Sequence, residues 1–220
     1  MYIANNIIKH HFQNIYIVSG GACGGKTSIT TYLAEKYDMI LYNWDDQYPQ
    51  FQAIADPVYQ PAMSTRPNFT SWEEYFMRPV EEYSQWLDET FEEQTGMAVA
   101  ELIKLSGRAN GKKIIVDGFF MPELLKEISE DNRVVYLLAA EDVVRQDYFN
   151  RECKRDMYDC IKGLTNPEAA FENVYQTIFF GDKQRKQAIL ESGLKFFKRE
   201  ASGTDIMDTI RQVEVHFGLA

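Results

Sequence analysis

Five short apolar runs punctuate the chain, at residues 14–19, 39–43, 113–117, 133–139 and 194–198. Each is too short for a buried helix and rich in Ile, Val, Leu, Phe or Tyr, so each reads as a buried strand. Between them the apolar positions recur at helical spacing, as in Ile29, Leu33, Ala34 and Tyr37 after the first run. Alternation of strand and helix predicts a parallel sheet covered on both faces, joined by right-handed crossovers. Ligands of such sheets lie beyond the carboxyl ends of the strands. The residues that follow each run are therefore where chemistry is expected.

The longest insertion separates the second and third runs. Ser71 and Glu74 have the spacing of a capping box, and Trp72, Phe76, Val80, Tyr83, Leu87 and Phe91 then repeat at helical intervals. Glu73, Glu74, Glu81, Glu82, Glu89, Glu92 and Glu93 fill the other faces, as expected of a core stripe with a solvated acidic side. Gly96 is expected to break this helix before a second one, from Val99 to Leu105.

Directly after the first run, residues 20–27 read Gly-Gly-Ala-Cys-Gly-Gly-Lys-Thr. This is a complete G-x-x-x-x-G-K-[ST] phosphate-binding loop, set between a strand and a helix as the motif requires. Gly20, Gly21, Gly24 and Gly25 can take positive φ and bring the backbone close to phosphates. With Ala22 and Cys23 they form an amide nest for an anion, and the helix that starts near Lys26 adds its free N–H groups and dipole. Lys26 is placed to reach the β- and γ-phosphates, Thr27 to put a hydroxyl on Mg²⁺, and Ser28 to add a phosphate contact. The fold class expected is thus α/β: a three-layer P-loop NTPase fold whose five-stranded parallel sheet has helices on both faces. It carries a helical acceptor and lid insert. One domain over residues 1–220 is expected, with the helical insert at about 50–110 and the lid at about 145–185.

The other strand ends carry further candidates. The second run leads into Asn43-Trp44-Asp45-Asp46, where Asp45 and Asp46 can meet an acceptor hydroxyl and one carboxylate can take its proton. A turn with an Asp helix cap is the plainer alternative for this pair. The third run ends in Asp117, a Walker B pattern that holds Mg²⁺ directly or through water. After the fourth run come Arg145, Arg151, Lys154 and Arg155. At least one is expected to bridge a transferring phosphoryl group from a mobile lid that excludes water. The loop after the fifth run, 199–205, is where a purine base could meet backbone groups, with Thr204 as a helix N-cap. His10, His11 and His216 fall in no catalytic arrangement.

A net charge of −10 argues against a broad grip on nucleic acid. No stretch is long and apolar enough to span a membrane. Met1 to Phe12 lacks the apolar run and cleavage site of a signal peptide. Three cysteines without paired spacing, Cys23, Cys153 and Cys160, fit reduced thiols in a cytoplasm. A phosphate nest would favour the Cys23 thiolate, although a small residue tolerated in the loop is the plainer reading.

With these residues in place, the chain resembles the P-loop small-molecule and nucleotide kinases. Asp45-Asp46-Gln47-Tyr48 is similar to the Asp-Asp-Phe-Tyr segment of uridine and nicotinamide riboside kinases, which implies that Asp45 faces the acceptor hydroxyl. Asp117-Gly118-Phe119 resembles the Asp-Gly-Phe-Pro-Arg segment of adenylate kinases. Phe120 and Met121 replace its Pro and Arg, which removes a grip on an acceptor phosphate. Arg145 and Arg151 are similar to the lid-flanking arginines of shikimate kinases, implying that the first packs near adenine and the second reaches the phosphates. No single subfamily matches throughout.

The resulting expectation is an enzyme, a phosphotransferase that uses ATP and Mg²⁺ to phosphorylate a hydroxyl of a nucleoside-like or other small molecule. Lys26, Asp45 and Arg151 are its catalytic residues. Asp45, Asp46 and Arg66 contact the substrate, Thr27 and Asp117 hold the metal, and Arg145 joins residues 20–28 at the nucleotide. A nucleoside monophosphate kinase is the near alternative, with Arg66 and Arg78 as its phosphate-gripping candidates, both also readable as surface arginines. A regulatory nucleotide switch without a small acceptor is the more distant one.

Overall fold

The computed structural model describes residues 4–65, 68–203 and 205–220. Its centre is a five-stranded, all-parallel sheet in the order β2-β3-β1-β4-β5. The strands are β1 (Ile15–Gly20), β2 (Ile40–Asn43), β3 (Ile114–Asp117), β4 (Val134–Ala139) and β5 (Lys195–Arg199). Each expected strand is present to within one residue. β1, β3 and β4 are buried along their whole length. The edge strands β2 and β5 are not, and β5 turns Lys195 and Lys198 to solvent. Charged residues on an exposed edge discourage pairing with a second chain.

Successive side chains of a strand point to opposite faces, and the core divides accordingly. Ile15 and Ile17 of β1 pack on one side with Ile114, Val116, Val134 and Tyr136. There they meet α1 (Asn5–His11), α3 (Trp44–Ile54), α6 (Val80–Arg108), α7 (Pro122–Ile128) and α10 (Pro167–Glu191). Tyr16 and Val18 pack on the other side with Ile115, Val135 and Leu137, under α2 (Lys26–Lys36) and α11 (Met207–His216). The fold is therefore the expected three-layer α/β arrangement with the phosphate-loop motif between β1 and α2.

The insert departs from the sequence reading. α4 (Pro61–Thr65) and the five-residue α5 (Trp72–Phe76) come first, and the break falls at Pro79, which precedes the 29-residue α6. A proline inside a helix removes a hydrogen bond and clashes with the turn before it, so it divides the stripe. Gly96 continues α6; a Cβ there would meet nothing within 4 Å, and a helical glycine costs only about 1 kcal/mol. The capping box is half formed. Ser71 Oγ accepts from the Glu74 N–H at 3.0 Å, but Glu74 bonds the Thr70 N–H instead of that of Ser71. The acidic face is not wholly solvated either: Glu93 accepts from the Ala62 and Met63 N–H groups, capping α4. Of the expected stripe, Phe76 and Tyr83 are buried and Trp72 is exposed; Tyr75 and Trp86, which the stripe left out, are buried as well.

Beyond the sheet, α5, α6, α10 and α9 (Arg155–Lys162) enclose a third core of Tyr75, Phe76, Tyr83, Trp86, Ile161 and Val174. Among the described residues no helix is long and apolar enough to cross a membrane.

The phosphate loop packs tightly on β4: the Gly21 N–H donates to the Leu137 carbonyl at 3.1 Å, and a Cβ on Gly24 would lie 2.5 Å from that oxygen. Gly24→Ala is expected to lower the unfolding free energy by about 1–3 kcal/mol, the range of an overpacked site. Urea unfolding measures this, and an unchanged midpoint would contradict the packing described.

Candidate active site

The loop between β1 and α2 takes its shape from two glycines with positive φ, Gly20 at 125° and Gly25 at 95°. Gly21 and Gly24 do not adopt such angles, and Gly24 is needed for its lack of Cβ. Cys23, at φ 58°, supplies the remaining left-handed position. Gly25 is the N-cap of α2 and offers no side chain to the first helical N–H groups. Those amides, with the dipole behind them, favour an anion.

Lys26 Nζ donates to the carbonyls of Gly20 and Gly21 at 3.1 and 2.8 Å. Burial pushes its pKa down, against the pull of Asp117 and Asp45. Thr27 Oγ1 donates to Asp117 Oδ2 at 2.6 Å. Burial pushes the Asp117 carboxyl up, opposed by Lys26 and by the Thr27 bond. The ammonium, hydroxyl and carboxylate thus share one electrostatic site at the ends of β1 and β3.

Two cavities meet there. One, of about 290 Å³, is lined by residues 23–28 with Asp147, Asn150, Arg151 and Arg199. The other, of about 530 Å³, lies beyond β2 and β3 and reaches Gly20, Gly21, Lys26, Asp45, Asp46, Asp117 and Arg151 at its phosphate-loop end. Arg151 borders both. It lies between α8 (Glu141–Asp147) and α9, with Nε donating to the Tyr148 carbonyl at 3.2 Å and the guanidinium 4.8 Å from the Tyr148 ring centre. Lys154 sits 5.5 Å from the same ring centre and lines the larger cleft; its pKa is raised, mainly by Tyr148, with Asp45 adding to the effect. Arg155 is exposed and pairs with Asp159.

Asp45 and Asp46 occupy the first turn of α3. The cap of that helix is Asn43, whose Oδ1 accepts from the Asp45 N–H at 2.9 Å. Neither aspartate is needed as the cap, and both border the cleft.

Several expected residues stand elsewhere. Arg145 makes a two-pronged pair with Glu172 on α10, at 2.8 and 3.0 Å, and lies over the rings of Tyr175 and Phe179. The Arg145 and Gln176 bonds hold the Glu172 carboxyl at a pKa of about 2. Arg145 lines neither cavity. Arg78 is not a free surface arginine. Its guanidinium lies over Phe69, Trp86 and Tyr83 at 4.5, 5.1 and 5.5 Å, and its Nε and Nη1 are buried. Arg66 and Thr204 lie outside the described residues. Cys23 packs against Ala139, Val143 and Val144, and burial pushes its thiol up, so the structure disfavours a thiolate there.

The sequence reading missed four residues. Arg199, at the end of β5, donates to the Cys23 carbonyl at 3.2 Å and pairs with Asp147 at 2.9 Å. Asp182 on α10 is buried, and the Cβ position of Gly21 would be 3.4 Å from its Oδ2. Arg185 pairs with both Asp182 and Asp88. Gln94 on α6 lines the cleft. One of these left a trace: Gln94, like Thr90 a turn before it, interrupts a stripe that runs Tyr83, Trp86, Ala98, Leu102 at intervals of three and four. Polar side chains in such a stripe mark a wetted or ligand-facing stretch.

No family model and no curated protein matches the chain. Among solved structures it is similar to a shikimate kinase from Acinetobacter baumannii in complex with shikimate. The two are 17% identical over 96% of this chain and 97% of that one, with a TM-score of 0.45. It is also similar to a Chloroflexus aurantiacus protein that carries a provisional kinase name, at 13% identity over 93% and 95% of the two chains and a TM-score of 0.44. Likeness at this level carries no argument about activity or substrate.

Cys23 and Cys153 offer a direct test of the loop's environment. The exposed Cys153 should react with iodoacetamide at pH 8 at the rate of a free thiol, and Cys23 about tenfold or more slowly. Equal rates at the two would show that Cys23 is neither packed nor held as a thiol.

Proposed function

We propose that the protein is a phosphotransferase that moves the terminal phosphoryl group of ATP, with Mg²⁺, onto a hydroxyl of a small molecule. The observation that carries this reading is a pair of cavities that share Lys26 and Arg151, with Asp45 and Asp117 lining the larger one beside them. One cavity has the chemistry of a phosphate cradle and the other is large enough for a metabolite.

The residues present suit the donor. The amides at the start of α2 have no side-chain cap, Lys26 donates to the Gly20 and Gly21 carbonyls, and Arg199 and Arg151 border the same cavity. Thr27 and Asp117 are hard oxygen groups of the kind Mg²⁺ takes alongside phosphates. Among the described residues no group of three or more His, Cys, Asp or Glu could hold a metal alone, which fits an ion that shares its shell with a nucleotide. When bound, Mg·ATP supplies the phosphoryl group and spreads its developing charge.

In this reading the chain's own residues divide the work. Asp45 accepts a hydrogen bond from the acceptor hydroxyl and takes its proton as transfer proceeds. Lys26 and Arg151 stabilise negative charge on the moving group from two sides. The helices of residues 50–110 form the acceptor wall and residues 145–185 a lid, within one P-loop unit over 1–220. A closed lid keeps out water, which would otherwise compete with the acceptor.

ADP release by the purified protein, with and without a metabolite mixture, tests this. Metabolites should stimulate release, and Asp45→Asn should cut the stimulated rate by about 10²–10⁴, the usual worth of a general base. An unchanged rate in Asp45→Asn removes Asp45 from the mechanism. Stimulation by a protein partner alone would replace a kinase with a switch.

A further inference from the structure

The cations that line the two cavities are Lys26, Arg151, Lys154, Arg185 and Arg199. Carboxylates claim two of them: Arg185 pairs with Asp88 and Asp182, and Arg199 with Asp147. Lys26 donates to the Gly20 and Gly21 carbonyls. Arg151 and Lys154 are held differently. Among the described residues neither makes an ion pair, and both lie against one ring, that of Tyr148.

The Arg151 guanidinium is 4.8 Å and the Lys154 ammonium 5.5 Å from the Tyr148 ring centre, and the Tyr148 carbonyl accepts from Arg151 Nε at 3.2 Å. Both distances are within reach of a cation–π interaction. The difference from an ion pair matters chemically. A carboxylate cancels the charge it holds, and an incoming phosphoryl group would have to displace it. A ring face fixes a cation in place and leaves its whole charge for an anion.

The ring is itself anchored. Tyr148 follows the last turn of α8, its N–H donating to the Val144 carbonyl at 2.9 Å. It packs against the aromatic core of Tyr83 and Trp86 and against the small cluster around Cys23 of the phosphate loop. It also meets Phe149 edge to face at 5.0 Å, and Phe149 rests on Phe171 and Tyr175 of α10 at 4.9 and 5.5 Å. Tyr148 thus ties the segment that carries Arg151 and Lys154 to the phosphate loop and to α10.

Resting on the phosphotransferase reading, we infer that Tyr148 is a positioning residue: its ring presents Arg151 and Lys154, with their charges uncancelled, to the phosphoryl group that moves. The two cations touch that group and the ring acts through them. Such contacts strengthen as charge develops in the transition state, so loss of the ring should fall on kcat more than on KM for ATP.

Metabolite-stimulated ADP release by the full chain tests this. Tyr148→Leu keeps an apolar side chain in the packing; it should lower kcat by about tenfold or more and leave KM for ATP within about threefold. Tyr148→Phe keeps the ring and should retain most of the rate. Tyr148→pentafluorophenylalanine keeps the ring's shape but reverses its quadrupole, and should behave like Tyr148→Leu. In an Arg151→Ala background, Tyr148→Leu should cost less than it does alone, because groups that act as a unit are not additive. Full kcat in Tyr148→Leu, full kcat with the fluorinated ring, or a loss in Tyr148→Phe as large as in Tyr148→Leu would each overturn the inference and leave the phosphotransferase reading standing. If Tyr148→Leu does not fold, the fluorinated ring, which fits the same space, decides alone. No ADP release by the wild-type chain with any metabolite would instead remove the reading beneath, and the inference with it.

Discussion

The tight seat of the phosphate loop on β4 sets the geometry of everything around it. The Gly21 N–H reaches the Leu137 carbonyl at 3.1 Å, and Gly20 and Gly24 approach that same peptide so closely that a Cβ on either would lie within 2.5 Å of its oxygen. Once this contact is made, the start of α2 has one position relative to the sheet. Thr27 then meets Asp117 on β3 from one side, and Arg199 from β5 reaches the Cys23 carbonyl from the other. Three strands thereby fix one loop of backbone. A cradle for an anion has to be rigid before the anion arrives, because reorganising dipoles during binding costs free energy that preorganised ones do not.

The acceptor side is built on different terms. α6 is about 43 Å long at 1.5 Å per residue. Its later part, through Ala98 and Leu102, belongs to the core on the sheet, while Tyr83 and Trp86 belong to the aromatic core beyond it. α10 does the same in the same order, with Ala170 and Val174 in the aromatic core and Ile189 on the sheet. The two helices pack tightly at Gly181, where a Cβ would meet Arg185 Nη2 at 2.5 Å and Ser84 Oγ at 2.8 Å. A glycine there keeps space for the Arg185 guanidinium, and with it the Asp88–Arg185–Asp182 network across the cleft wall. Anchoring both walls in the sheet core couples the shape of the cleft to the strand ends that carry Asp45 and Asp117.

The sheet was legible because its signals are local. Short apolar runs, a glycine loop and the order of strand and helix need no tertiary information, and they placed all five strands and the phosphate-loop motif between β1 and α2. That Asp45, Asp117 and Arg151 border one cleft was legible for a related reason: in a parallel sheet, chain position after a strand predicts position in space. What escaped was set by contacts distant in sequence. Arg145 carries the same charge as Arg151, but Glu172 on α10 claims it. Arg78 looked like a surface cation until Phe69, Tyr83 and Trp86 closed around it. The helix break was misplaced because glycine is only a mild interruption, whereas Pro79 cannot continue the hydrogen-bond ladder. Asp182 and Arg185 sit in a helix whose own pattern gives no hint that it faces the phosphate loop.

The account's central claim is that the backbone between β1 and α2 receives a triphosphate and that Lys26 closes on it. Isothermal titration of the protein with Mg·ATP measures this most directly. One nucleotide should bind per chain with measurable heat, and Lys26→Ala should weaken binding at least tenfold, or about 1.4 kcal/mol. No heat of association with either Mg·ATP or Mg·GTP, or an affinity indifferent to the loss of that ammonium, would contradict the account at its foundation.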